Sequence, residues 1–362
     1  MSTTAVPHAP TRPSRPGGPV RLPARAHAVT LLASLWLIVG LFVDGWAHNT
    51  RPSLESFFTP WHAVFYSGFA ATAGWIAWQV LRAQEAGHRG RDAVPAGYGL
   101  GLVGLAIFAV GGASDMAWHT VLGVEQDIEA LFSPTHLVLL LGMALIVTSP
   151  LRAAWAERIG RDPGGLVRFL PPLLAAALCT ALVQFFFMYL FEPGNSTVSI
   201  SPAGPDGQAF LISGIAGLLI TNVIVVTPLL YLLRRWDLPF GSATVLFSVV
   251  GVLLAALDGF ASLTGMAVMA AAGLAADVLL RVVRPSPERP AAFRTAAVGV
   301  PVVLWSVHFL VAGLLGPIVW APELWSGLIV YAGLTGLALA QLLLPSPVPA
   351  PPAAAGTADA AL

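Results

Sequence analysis

The sequence predicts an all-α, polytopic integral membrane protein of about ten transmembrane helices, with both termini on the cytoplasmic side. Three observations carry that prediction. Of the 362 residues, 56% are hydrophobic and only 10% charged, against about 25% charged in a soluble domain. The apolar residues fall into ten stretches, each near the roughly 20 residues that span a bilayer. The positive charge is also segregated: the 18 basic residues other than His are all Arg, and ten spans leave only Arg51 on the outer face. An excess of basic residues in cytoplasmic loops is the expected orientation signal.

In chain order, residues 1–26 are rich in Pro, Arg and Ala without hydrophobic periodicity and are expected to be a disordered cytoplasmic tail. Apolar segments follow at about 27–47, 61–82, 97–119, 135–156, 169–191, 209–233, 241–261, 264–281, 295–318 and 324–344. The first two form one helical hairpin over 27–82, the next two a second over 97–156, and six more fill 169–344. Asp258, Gly259 and Gly265 leave only a tight connection between the seventh and eighth. A Pro and Ala tail, 345–362, again reads as disordered. Gly45-x-Ala47 resembles a signal-peptidase site. Cleavage there would separate Asp44 from His48, so the first segment is read as a retained span.

Composition also limits the partners. Cys179 is the only cysteine, which excludes a disulfide framework or a cysteine metal cluster within one chain; in its apolar run it reads as a small packing residue. The net charge of zero and the segregated arginines give no nucleic-acid surface. The expected partner is the lipid bilayer of the plasma membrane, with partner membrane subunits or a homo-oligomer left open. Trp46, Trp61 and Trp118 stand where interfacial aromatic belts occur. Asn195-Ser196-Thr197 matches a glycosylation sequon in an outer loop, which acts only on a eukaryotic secretory route.

One constellation occurs twice. The pattern Asp-x3-His, a short loop, then Glu-x2-Phe-[Ser/Thr]-Pro-x-His runs from Asp44 to His62 and again from Asp115 to His136. Asp44 aligns with Asp115, His48 with His119, Glu55 with Glu129, Phe58 with Phe132, Pro60 with Pro134 and His62 with His136. The match continues through Val64, Gly68 and Ala70 against Val138, Gly142 and Ala144, so an internal duplication is expected. The predicted topology puts both copies on the outer face, as parallel repeats about an axis along the membrane normal.

The spacing has a chemical reason. Asp and His four residues apart lie on one helix face, a turn apart. Thr59 or Ser133 fits a helix N-cap and Pro60 or Pro134 the first helical position, which puts His62 or His136 in the first turn. Asp, His and His from a helix end and the next helix start thereby surround one point. The donor set suits Cu(II), Zn(II) or Fe(II) and not a thiolate-bound ion, and three protein ligands leave open positions for catalysis. Glu55 and Glu129 are loop carboxylates placed to transfer protons or to act as a fourth ligand. Glu125 and Asp127, in the same loop, read as surface.

These residues resemble the C subunit of the copper-dependent membrane monooxygenases, which oxidise methane or ammonia. That subunit carries an intramembrane Asp-x3-His with a further His about a dozen residues on, and Phe-Thr-Pro-x-His here is similar. Trp118 directly before His119 also fits. The resemblance implies one copper set at Asp44, His48 and His62, a second at Asp115, His119 and His136, and a role as oxidase component or copper-holding partner. It covers about a quarter of the chain; the doubled motif and the six later helices have no counterpart. Two other readings stand beside it. One is a metal or proton-coupled permease with Asp258, Asp277 and His308 marking a path, since intramembrane ionisable groups are functional candidates by default. The other is a scaffold with structural metal.

Overall fold

The computed structural model describes residues 18–51, 57–123, 127–157, 159–195 and 197–344, which are helical with no β-strand among them. The first hairpin is α1 (Ala24–Thr50) and α2 (Pro60–Glu85). The second is α3 (Gly99–Leu122), the short α4 (Asp127–Phe132), and α5 (Pro134–Val147) continued by α6 (Ser149–Ala156). Then come α7 (Leu166–Phe186), the single turn α8 (Glu192–Asn195), α9 (Gly207–Arg235), α10 (Ser242–Ala256), α11 (Thr264–Val283), α12 (Pro290–Leu315) and α13 (Pro322–Leu343).

Eight of these stretches are long and apolar enough to cross a membrane, two fewer than the ten expected. The other two expected spans are present as helices. Pro60–Glu85 is long, but its Trp, Tyr, Ser, Thr and Gly content lowers its hydropathy. Ser242–Ala256 is only 15 residues, because the chain turns at Asp258, whose carboxylate accepts the N–H groups of Ala261 and Ser262 at 3.2 Å. The fourth expected segment breaks at Thr148, ahead of Pro150. The end of the segment expected as a disordered tail is ordered: helix begins at Ala24, and Val20 exchanges backbone hydrogen bonds with Asp92 and Ala96. Residues 1–17 and 345–362 lie outside the described residues.

The connections sort onto two ends of the bundle. On one, His27 Nε2 lies 3.3 Å from Glu157, and Arg161 reaches Asp237 at 2.9 Å and Glu288 at 3.3 Å, tying together the connections that follow α6, α9 and α11. On the other, Asn49 donates to the Leu257 carbonyl, and Val319 to that of Val198. Helix α7 packs against α1, α5 and α10 and so joins the two hairpins to the rest. Part of the connection after α7 is buried: Phe191, Glu192 and Val198 are inside, and Thr221 Oγ1 holds the Leu190 carbonyl at 3.1 Å.

Close approach of backbones sets each hairpin. A Cβ on Gly68 would lie 2.7 Å from Leu37 Cα, and one on Gly142 would lie 2.8 Å from the backbone nitrogen of Phe108. Small residues at such crossings let helices touch where lipid gives no hydrophobic drive. Gly68→Ala or Gly142→Ala is therefore expected to lower stability by about 1–3 kcal/mol through overpacking, read as a lower melting temperature in detergent. Gly74→Ala is the control, because a Cβ there meets nothing within 4 Å.

Candidate metal centre

The local signals act as the sequence implies. Thr59 caps α2 by accepting the His62 N–H at 3.1 Å, and Ser133 caps α5 by accepting that of His136 at 3.4 Å, each with Pro at the first helical position. Those caps hold His62 and His136 in the first turn of their helices. Asp44 and His48 occupy the end of α1, and Asp115 and His119 that of α3, one turn apart.

Each set converges on one carboxylate oxygen. Asp44 Oδ2 lies 3.3 Å from His62 Nε2 and 3.8 Å from His48 Nε2. Asp115 Oδ1 lies 3.1 Å from His136 Nε2 and 3.4 Å from His119 Nε2. Within each set the three donor atoms are all within 4.8 Å of one another. Donors bonded at about 2.0–2.1 Å to one tetrahedral ion sit about 3.3 Å apart. The spacing fits such an ion.

The other ring nitrogens decide what faces inward. His62 Nδ1 donates to the Phe57 carbonyl at 2.5 Å, His119 Nδ1 to that of Gly123 at 3.3 Å, and His136 Nδ1 to that of Ala130. A carbonyl only accepts, so the proton sits on Nδ1 and a neutral ring turns its Nε2 lone pair toward the carboxylate. Lone pairs crowded around an anion require positive charge between them, a cation or protons. Backbone acceptors on the outer nitrogen are the usual way a metal-binding His is oriented.

The two sets are not equal. Asp115 is 2% exposed, and its Oδ1 also accepts from Thr135 Oγ1 at 2.9 Å. The aligned position in the first copy is Trp61, which gives Asp44 no such hydrogen bond, and Asp44 Oδ1 is buried without a hydrogen-bond partner. Trp61 instead packs edge-on against Trp46, with the Arg51 guanidinium over both rings at 5.2 and 5.5 Å. Arg51, held by these two tryptophans, itself lines the cavity described below.

Both sets open into one cavity of about 470 Å³, lined by all six ligand residues and by Tyr66, Arg51 and the end of α7. Phe57 bridges them, its ring 4.9 Å from that of His62 and 6.1 Å from that of His119. The repeated Phe58 and Phe132 point away and are exposed; their neighbours Phe57 and Leu131 turn inward.

Other expected residues fall elsewhere. Glu55 lies outside the described residues, as do Glu125 and the Asp127 side chain. Glu129 is exposed on α4, and its neighbours Ala130 and Leu131 form the cavity wall. Asp277 accepts the Ala243 and Thr244 N–H groups at 3.0 and 2.9 Å and the Thr244 hydroxyl at 2.6 Å, capping the start of α10. Asp258 caps its turn. His308 is 1% exposed and lies 4.0 Å from Glu192, with neither ring nitrogen hydrogen-bonded. The three belong to separate surroundings and none lines that cavity.

Sequence reasoning missed Glu192, Tyr66 and Thr135. Tyr66 was legible as the residue one turn beyond His62, on the same face; nothing in Phe191-Glu192-Pro193 marks a buried carboxylate. No protein-family model, curated protein or solved structure matches the chain.

Proposed function

We propose that this is an integral membrane metalloprotein, with copper the preferred ion and zinc or iron the alternatives, related to the C subunit of the copper membrane monooxygenases. The observation that carries this reading is the convergence of imidazole nitrogens and a carboxylate oxygen in each set, with three of the four outer nitrogens tied to carbonyls. Asp44, His48 and His62 would hold one ion and Asp115, His119 and His136 the other. Bound copper would supply redox chemistry or Lewis acidity at its open positions. The chain's own residues orient it, exclude bulk water on the apolar side of the cavity, and admit a small molecule such as O2 or an apolar substrate. Glu55 and Glu129, which lie between Asp-x3-His and the later His of each set in the sequence, are the proposed proton carriers.

The bundle sits in the plasma membrane with ten spans, the arginine-bearing end cytoplasmic and the metal cavity outside. Two features support a duplicated hairpin as its origin: the aligned motif, and the equivalent contacts of Gly68 on Leu37 and Gly142 on Phe108. The permease reading is the weaker one, because both oxygens of Asp277 are committed to the α10 N-terminus.

Metal content and EPR of the purified protein, beside a His48→Ala/His119→Ala double variant, test the proposal. The expected result is up to two copper ions per chain, lost in the variant. If the wild-type chain binds no metal after reloading with copper, zinc and iron, the proposal fails.

A further inference from the structure

Tyr66 breaks the symmetry of the two hairpins. The register that aligns His62 with His136 places Leu140 opposite it, so its hydroxyl has no twin. The side chain leaves α2 one turn beyond His62 and crosses toward the second hairpin. Gly112 on α3 makes room for it: a Cβ there would lie 2.9 Å from the Tyr66 ring and 3.2 Å from its oxygen. The ring is held by Phe65 at 5.2 Å, Phe57 at 5.8 Å and Phe108 at 5.9 Å.

The hydroxyl oxygen is fully buried, and the group beside it is the Asp115 carboxylate; a buried Tyr hydroxyl usually finds such a partner. It lies in the cavity with all six ligand residues and within electrostatic reach of both carboxylates, Asp115 before Asp44. A phenol oxygen beside Asp115, on the wall of a cavity lined by both donor sets, is placed to reach an ion held there.

We propose that the Tyr66 oxygen is a further ligand, donated from the first hairpin to the ion held by Asp115, His119 and His136, which makes the cavity one coupled two-metal centre. The inference rests on the metal reading above. As the oxygen–metal bond forms, the phenol O–H bond breaks and its proton passes to the medium; no electron is transferred. A side chain from one repeat then completes the site of the other. Binding at the two sets is thereby linked through α2, which carries both His62 and Tyr66.

Full-length protein in micelles, loaded with Cu(II), tests this directly by visible absorption and resonance Raman spectroscopy. The wild-type chain is expected to show a phenolate-to-copper charge-transfer band with tyrosinate modes. Tyr66→Phe keeps the ring against Gly112 and should keep its melting temperature. It should lose the band, and affinity at one of the two ions should fall about 10- to 100-fold. Copper bound without such a band overturns the assignment and leaves the metal reading standing. A band that survives in Tyr66→Phe also overturns it and points to Tyr189, the other tyrosine on the cavity wall. If the wild-type chain binds no copper, both readings fall.

Discussion

Asp115→Asn is expected to empty the second metal set, lowering its affinity at least about 100-fold, since changes even to groups around the ligands cost 10- to 100-fold. Asp44→Asn should cost distinctly less. The difference follows from what surrounds each carboxylate. Asp115 is buried, its Oδ1 is fixed by Thr135 Oγ1 at 2.9 Å, and both imidazole nitrogens stand within 3.4 Å. Removing its charge leaves two lone pairs converging on a neutral amide in a desolvated pocket, where interactions are least screened. Asp44 has no such donor, and its His48 contact is looser at 3.8 Å, at a more exposed residue. Chelator-competition titration of copper on each single variant reads the two affinities. Equal losses would show that the asymmetry of the two pockets has no energetic consequence.

Glu192 should impose a second large effect, on stability against pH. Burial pushes its carboxyl up to about 7, against hydrogen bonds from Thr197 that pull it down. In the unfolded chain the same group ionises near pH 4.5, while in the folded chain it stays protonated to about 7. The stabilisation is therefore whole below about pH 4.5 and is lost as pH rises to about 7, amounting to roughly 3 kcal/mol at 1.36 kcal/mol per unit. Glu192→Gln retains an acceptor for the Thr197 hydroxyl, at 2.8 Å in the wild-type chain, and cannot ionise. Melting temperatures in detergent at pH 5 and pH 8 should show the wild-type chain losing stability across that interval and the Gln variant losing about 3 kcal/mol less. A variant that tracks the wild-type chain at both pH values would place the titration elsewhere. The ionisable group facing Glu192 is His308, so His308→Gln in the same experiment separates the two.

Much of the candidate centre was legible because its determinants are local. A four-residue spacing fixes which side chains share a helix face, and Ser or Thr before Pro fixes where a helix starts, without reference to the rest of the chain. That is why Asp44, His48, His62 and their second-copy equivalents stand together. The span count was less legible. Hydropathy does not register where α10 stops, because the turn at Asp258 is made by backbone N–H groups that a composition window does not see.

The permease residues show the same boundary. Asp258, Asp277 and His308 share a chemical type, and one-dimensional reading has no means to tell a helix cap from an ion path. Asp277 serves the start of a helix 33 and 34 residues away in sequence, a contact only packing creates. Phe58 and Phe132 mislead for a related reason: recurrence of a residue type in the sequence does not fix the direction in which its side chain points.

By itself, then, the sequence determined the membrane-helical class, the doubled donor set and the helix starts that present it, all properties of residues within a turn or two of one another. The tertiary structure decided that both sets face one cavity, that Thr135 supports Asp115 while Asp44 goes without, that Tyr66 crosses between the hairpins, and that Glu192 is buried beside His308. Each of these depends on helices meeting across long stretches of chain, at crossings set by glycines and by what the neighbouring helix leaves room for.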